Sequence, residues 1–110
     1  MLFIVQFQDI YDEKPDLLPL RAEIMPMHIS FLEANADKVI ASGALREEPN
    51  GQPLGGIWII TAPDRSTVEA LYQEDPFWRA GLRKSVTVSH WSKAAWSPAF
   101  TEAMRTIGEG

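Results

Sequence analysis

Two hydrophobic periods alternate along this chain of 110 residues, and the switches between them mark out its elements. Leu2 to Gln8 is a short, almost continuous apolar run, which predicts a strand covered on both faces and therefore central in a sheet. Phe3, Val5 and Phe7 share one face of it, Leu2 and Ile4 the other. Asp9 to Pro15 is a polar loop. From Asp16, the predicted N-cap, Leu17, Leu20, Ile24, Met27 and Phe31 recur at the three- and four-residue spacings of an amphipathic helix ending near Asn35. His28 falls at the edge of this stripe. Lys38 to Leu45 reads as a second strand, and the turn-rich Glu47 to Pro53, with Asn50-Gly51 at its centre, as a hairpin connection. Leu54 to Thr61 is the third strand, carried by the β-favouring Ile57-Trp58-Ile59-Ile60.

Asp64 caps a second helix with Val68, Leu71 and Tyr72 inward, stopped near Glu74 because Pro76 disfavours helical geometry at Asp75. Asp75 as N-cap, Pro76 in first position and Gly81 past the end predict one extra helical turn. Val86, Val88 and His90 alternate with Ser85, Thr87 and Ser89 in a fourth strand ending at Trp91. Ser97-Pro98 opens a C-terminal helix with Phe100 and Met104 inward, and Gly108 to Gly110 is expected to fray. The order strand, helix, strand, strand, helix, strand is the split βαβ, ferredoxin-like arrangement: an α+β fold with a four-stranded antiparallel sheet and both helices on one face. The expected layout is one domain over 1–96 and a C-terminal extension over 97–110.

Composition narrows the functions open to such a fold. With 45% apolar and 23% charged residues the chain is an ordinary globular domain. Its net charge of −5 argues against nucleic acid as a partner. No apolar run approaches the ~20 residues of a membrane span, and the N-terminus lacks the pattern of a signal peptide, so a cytoplasmic location is the default expectation. There is no cysteine, which removes thiolate nucleophiles, disulfides and cysteine metal sites. Four tryptophans make an uncovered sheet face improbable, and a homodimer burying sheet against sheet is the expected cover.

Few residues can do chemistry. Pro26 stands inside the first helix, where it removes a backbone hydrogen bond at a cost of roughly 3 kcal/mol. It either helps to place His28 at a pocket or makes a harmless surface bend. A plain helix cap accounts for Asp75 without any chemistry. Gly43 marks a bulge or the close approach of a backbone or ligand. His90 sits on an apolar strand face, as a core or interface histidine or as a third polar group in a pocket. Two histidines without ligand spacing do not make a metal site, and no glycine-rich phosphate loop or nucleophile elbow is present. No metal or other cofactor is expected.

Three motifs then occur in a telling order: Pro26-x-His28-x-x-x-Leu32, Ser42-Gly43-Ala44-Leu45, and Asp75-Pro76-Phe77. In these, over Leu2 to Trp91, the chain resembles the YCII-related (YciI-like) proteins of the dimeric α+β barrel group. Members of that family often carry an arginine three residues before the histidine. This chain has Met25 there, and Arg21, one turn earlier, is the available substitute. The resemblance implies a site built from His28 and Asp75. Arg21, Gly43, Phe77 and Trp78 are the candidates to surround a ligand there; the tryptophans otherwise read as packing, and Trp78 is singled out by its place close to Asp75 in sequence. The resemblance also implies a lyase or isomerase acting by elimination or proton transfer; one family activity removes chloride from a chlorinated hydroxyquinol. Neutral imidazole, ordinarily with a pKa of about 6.5, suits a base near neutral pH. A non-catalytic ligand-binding or interaction module on the same fold is the alternative.

Overall fold

A computed structural model of the protein describes residues 1–92, 94 and 96–109, without the side chains of residues 104 and 106–109. Strand β1 (Leu2–Asp9) lies inside the sheet. It pairs antiparallel with β3 (Gly55–Thr61) on one side and β4 (Arg83–His90) on the other, and β2 (Val39–Leu45) completes the order β2-β3-β1-β4. This is the ferredoxin-like order that the element sequence predicts. Register puts Val5 opposite both Trp58 and Val88. Period-two alternation therefore gathers Phe3, Val5, Phe7, Trp58 and Ile60 on one face. There they join Val39 and the inward residues Val68, Leu71 and Tyr72 of α2 (Arg65–Tyr72) in the main core. Asp64 caps α2 as expected, accepting from the Thr67 backbone at 2.8 Å.

Helix α1 (Leu18–Ala34) begins later than the pattern suggests. Pro15–Leu17 forms a 3-10 turn that takes in Asp16, so Asp16 is no cap, and α1 starts from Leu17 without a side-chain bond. The inward face also differs. Met27 is 58% exposed, whereas His28 is buried at the centre of the face made with Ile24, Phe31 and Leu32. The apolar count misplaces the stripe because it gives a histidine no weight and a methionine full weight. Pro26 does not break α1. Both Pro26 and Ala22, whose carbonyl loses its partner to the proline, are exposed, so water can serve that carbonyl. At 100° per residue His28 lies roughly 200° around the helix from Pro26, on the inward side.

A smaller cluster of Tyr11, Phe77 and Leu82, with Leu17, Leu20, Ile24 and Met25 against it, packs under the start of α1. It is held by α3 (Pro76–Arg79), the predicted extra turn. Gly81 ends α3 at φ +74°, a conformation glycine adopts without strain. Gly43 is not the bulge of β2: the register shifts between Val39 and Ala41, which leaves Ile40 as the extra residue. A second shift lies between Gln8 and Asp9, where β1 advances one residue while β4 advances from Ser85 to Arg83. Gly55 is obligatory where β3 leaves the hairpin, since a Cβ there would lie 2.0 Å from the Phe7 carbonyl oxygen.

On the other face of the sheet, Ile40 and Ile59 line a hollow of about 280 Å³ with Trp96, Phe100 and Thr101 from the C-terminal region. Helix α4 (Pro98–Glu109) continues through Gly108 and Glu109, further than the glycines suggested, and Ser97 caps it by accepting from the Phe100 backbone. The inward placement expected of Met104 and the fraying of Gly110 lie outside the described residues. His90 is exposed, with its ring edge-on to Phe3, at the end of the edge strand β4. Among the described residues no helix is long and apolar enough to cross a membrane.

Candidate active site

The seam between the two apolar clusters is where polar chemistry is buried. His28 reaches it from the inward face of α1, and Asp75 from the start of α3. Their side chains meet, His28 Nδ1 lying 2.7 Å from Asp75 Oδ1. Asp75 is fully buried and His28 is 7% exposed. A carboxylate accepts and does not donate, so an ionised Asp75 takes its bond from Nδ1–H, and in the neutral imidazole that tautomer keeps the lone pair on Nε2. The same Oδ1 accepts from the Phe77 backbone at 3.2 Å, so Asp75 is a helix cap and a histidine partner at once. The second oxygen, Oδ2, has no hydrogen-bond partner among the described residues.

The local sequence dictates this arrangement. Pro76 restricts Asp75 to extended geometry, observed at φ −62° and ψ 130°, which points its side chain back over the first turn. The next side chain, Phe77, is turned into the site. Its ring stacks on the His28 imidazole with centroids 3.9 Å apart and planes within 4°. The imidazole is thus fixed in its plane by Asp75 and across its face by Phe77.

His28 and Phe77 line a cleft of about 410 Å³, with Arg21, Met25 and Leu32 from the α1 side. Trp58, Gly55 and Gly56 of β3 and Ser42, Gly43 and Ala44 of β2 form much of the rest. Of the residues the sequence singles out, Arg21, Gly43 and Phe77 join His28 on the wall, with Asp75 directly behind. Trp78 does not. In a single helical turn successive side chains diverge by about 100°, so when Phe77 faces the cleft Trp78 faces away. Its indole packs edge-on against Tyr72, centroids 4.8 Å apart, and adds to the main core. His90 is likewise absent from the wall.

Sequence reasoning missed Arg83. Its Nη1 donates to Asp9 Oδ1 at 2.6 Å, with both side chains almost wholly buried, and its guanidinium lies 4.5 Å from the Phe7 ring centroid and 5.2 Å from that of Phe77. Strict alternation from Val86 and Val88 would have placed Lys84 on this face; the shift opposite Gln8 and Asp9 places Arg83 there instead. The one signal in the sequence was Asp9, on the buried face of β1 and in need of a cation. Beside it Tyr11 is buried, which pushes its phenol up to about 12; Asp9 adds to the rise, while Arg21 and Arg83 oppose it. The phenol is therefore neutral throughout the physiological range.

A small ferredoxin-like α+β fold with a buried histidine–aspartate pair on a cleft between helix and sheet is the class that these observations define. The chain belongs to the YCII-related family, whose domain model matches residues 2–92. Helix α4 lies beyond that match. Among solved structures, 5-chloro-2-hydroxyhydroquinone dehydrochlorinase from Burkholderia phenoliruptrix AC1100, in complex with 2,5-dihydroxybenzoquinone, is 26% identical, with a TM-score of 0.71 over 84% of this chain and 94% of that chain. An uncharacterized NIPSNAP domain protein from Burkholderia xenovorans is 14% identical, with a TM-score of 0.34 over 89% of this chain and 99% of that one. No curated protein matches.

Proposed function

We propose that the protein is a cofactor-independent lyase or isomerase that moves a proton on a small oxygenated ring compound, with His28 as the base and Asp75 holding its tautomer. The observation that carries this reading is the 2.7 Å contact between His28 Nδ1 and a fully buried Asp75, made by an imidazole on the wall of a cleft of about 410 Å³. A proton leaves the substrate for Nε2, and Asp75 stabilises the imidazolium that forms. In an elimination the freed electron pair becomes a new π bond, and the leaving group departs with its own bonding pair. In an isomerisation Nε2 returns the proton to a different atom. The similarity to the dehydrochlorinase supports elimination of chloride as the first reaction to test.

Chloride release from 5-chloro-2-hydroxyhydroquinone tests the reading, with wild type compared with His28→Gln. Loss of a general base costs about 10²- to 10⁴-fold. Equal rates in the two proteins would remove His28 from the chemistry. Binding of the compound without turnover by either protein would favour a ligand-binding module on the same cleft.

The protein is further proposed to act as a homodimer in the cytoplasm, paired through the sheet face that carries Ile4, Ile57 and Ile59. Exposed Ile40 and Leu45 on β2 support this, being 51% and 39% accessible in the isolated chain. Light scattering is expected to give twice the 12.3 kDa chain mass; a stable monomer at micromolar concentration would exclude the pairing.

A further inference from the structure

We propose that the cleft selects a planar, conjugated oxyanion of single-ring size, and that Arg83, assisted by Arg21, is the group that reads the charge. This rests on the cleft being the substrate site, but it concerns binding and not proton transfer. The chain as a whole carries a net charge of −5, yet the cleft wall holds three arginines, Arg21, Arg46 and Arg83, and no carboxylate. An acidic protein that concentrates cations in one concavity is arranged to attract an anion there.

Arg83 is not a surface arginine that happens to lie nearby. Its side chain is only 6% exposed, a costly state for a cation unless its donors are used. Asp9 engages one nitrogen, while Nε has no hydrogen-bond partner among the described residues. The sheet makes room for the group: a Cβ on Gly56 would lie 3.1 Å from Nη1 and 3.3 Å from Nη2. A guanidinium braced by a carboxylate and two aromatic rings, and still lining the cleft, is preorganised for a planar oxyanion. A purely structural ion pair needs no place on the cleft wall. Arg21 lies 5.6 Å from the Phe77 ring centroid, and no carboxylate is within ion-pair reach of it among the described residues. Phe77 and Trp58 supply flat apolar wall, which suits a conjugated ring more than a branched aliphatic acid.

Calorimetric binding of two probes tests this: 2,5-dihydroxybenzoquinone, ionised at neutral pH, and hydroquinone, neutral at the same pH. Wild type is expected to prefer the anion by about tenfold or more, as a charge-assisted hydrogen bond provides, and to lose that preference as salt rises. Arg83→Lys keeps charge but not the fork and should retain part of the preference. The doubly neutral Arg83→Gln/Asp9→Asn, which leaves no unpaired buried charge, and the half-exposed Arg21→Gln should each reduce it. Wild type that prefers the anion but turns over no substrate would overturn the proton-transfer reading alone and leave the charge reading standing. Equal binding of the two probes, no measurable binding of the anion by wild type, or undiminished preference in both arginine variants would overturn the inference.

Discussion

Phe77 lies flat against His28, its ring centroid 3.9 Å from the imidazole and its plane 4° from parallel. The contact joins the second apolar cluster to the site, because Phe77 is also 2% exposed and packs with Tyr11 and Leu82. Phe77→Ala should therefore cost stability and order together: about 3–5 kcal/mol in denaturant unfolding, as for other buried phenylalanines, with loss of a single imidazole environment in the proton NMR spectrum. Phe77→Leu should recover most of the stability but not the fixed ring. An unchanged His28 resonance in Phe77→Leu would show that the stack does not hold the imidazole.

Asp75 separates capping from charge. Asn is as good a cap as Asp, so Asp75→Asn should stay within about 1 kcal/mol of wild type by capping alone while losing the ionic partner of His28. Asp75→Ala removes the acceptor of the buried Phe77 amide and should cost about 1–3 kcal/mol more. Chemical unfolding of the two variants checks the order. If activity survives in Asp75→Asn, the aspartate serves the turn and not the base.

Tyr11 gives a pH dependence with a defined sign. Its phenol is raised from the ordinary 10.0 to about 12, chiefly by burial. Between those values the folded protein holds a proton that the unfolded chain has released, so stability present below pH 10 falls as pH rises towards 12. Ultraviolet tyrosinate titration of wild type minus Tyr11→Phe should show the late transition, and the alkaline fall in melting temperature should be shallower in Tyr11→Phe. A tyrosine titrating at 10 in the difference curve would contradict the burial seen here.

Two glycines beside the cleft should respond in opposite ways. Gly55→Ala drives a methyl group to 2.0 Å from the Phe7 carbonyl, which only a backbone shift in the β1–β3 pair can relieve. A loss of about 3 kcal/mol or more is expected. Gly43→Ala meets nothing within 4 Å and should be neutral or stabilising by up to about 1 kcal/mol. Thermal melts of the two variants distinguish the positions directly.

The parts of this molecule that follow strict periods could be read from the sequence. Phe3, Val5 and Phe7 alternate, Val68, Leu71 and Tyr72 share a helical face, and Asp75-Pro76 marks its turn through backbone chemistry that needs no tertiary context. What could not be read depends on partners. Ile40 and Lys84 are extra residues in β2 and β4, and each shift reverses which side chains face inward beyond it, so Arg83 looked like a surface residue. Hydrophobic spacing sets Met27 in the stripe of α1 and His28 only at its edge, because hydrophobicity does not register that a histidine bonded to a buried carboxylate is an interior residue. Trp78 was drawn to the cleft by its proximity to Asp75, although one residue along a helix is a quarter-turn away.

The double duty of Asp75 Oδ1 has a consequence for descent. A lineage that abandoned its reaction would still be selected to keep an aspartate or asparagine there, because the α3 turn needs an acceptor whatever His28 does. An acceptor at position 75 is therefore heritable through folding alone and is no record of turnover by itself. Positions without a folding duty keep the truer record of use. Arg21, half-exposed and with no carboxylate in ion-pair reach among the described residues, has no such folding duty to hold it in place.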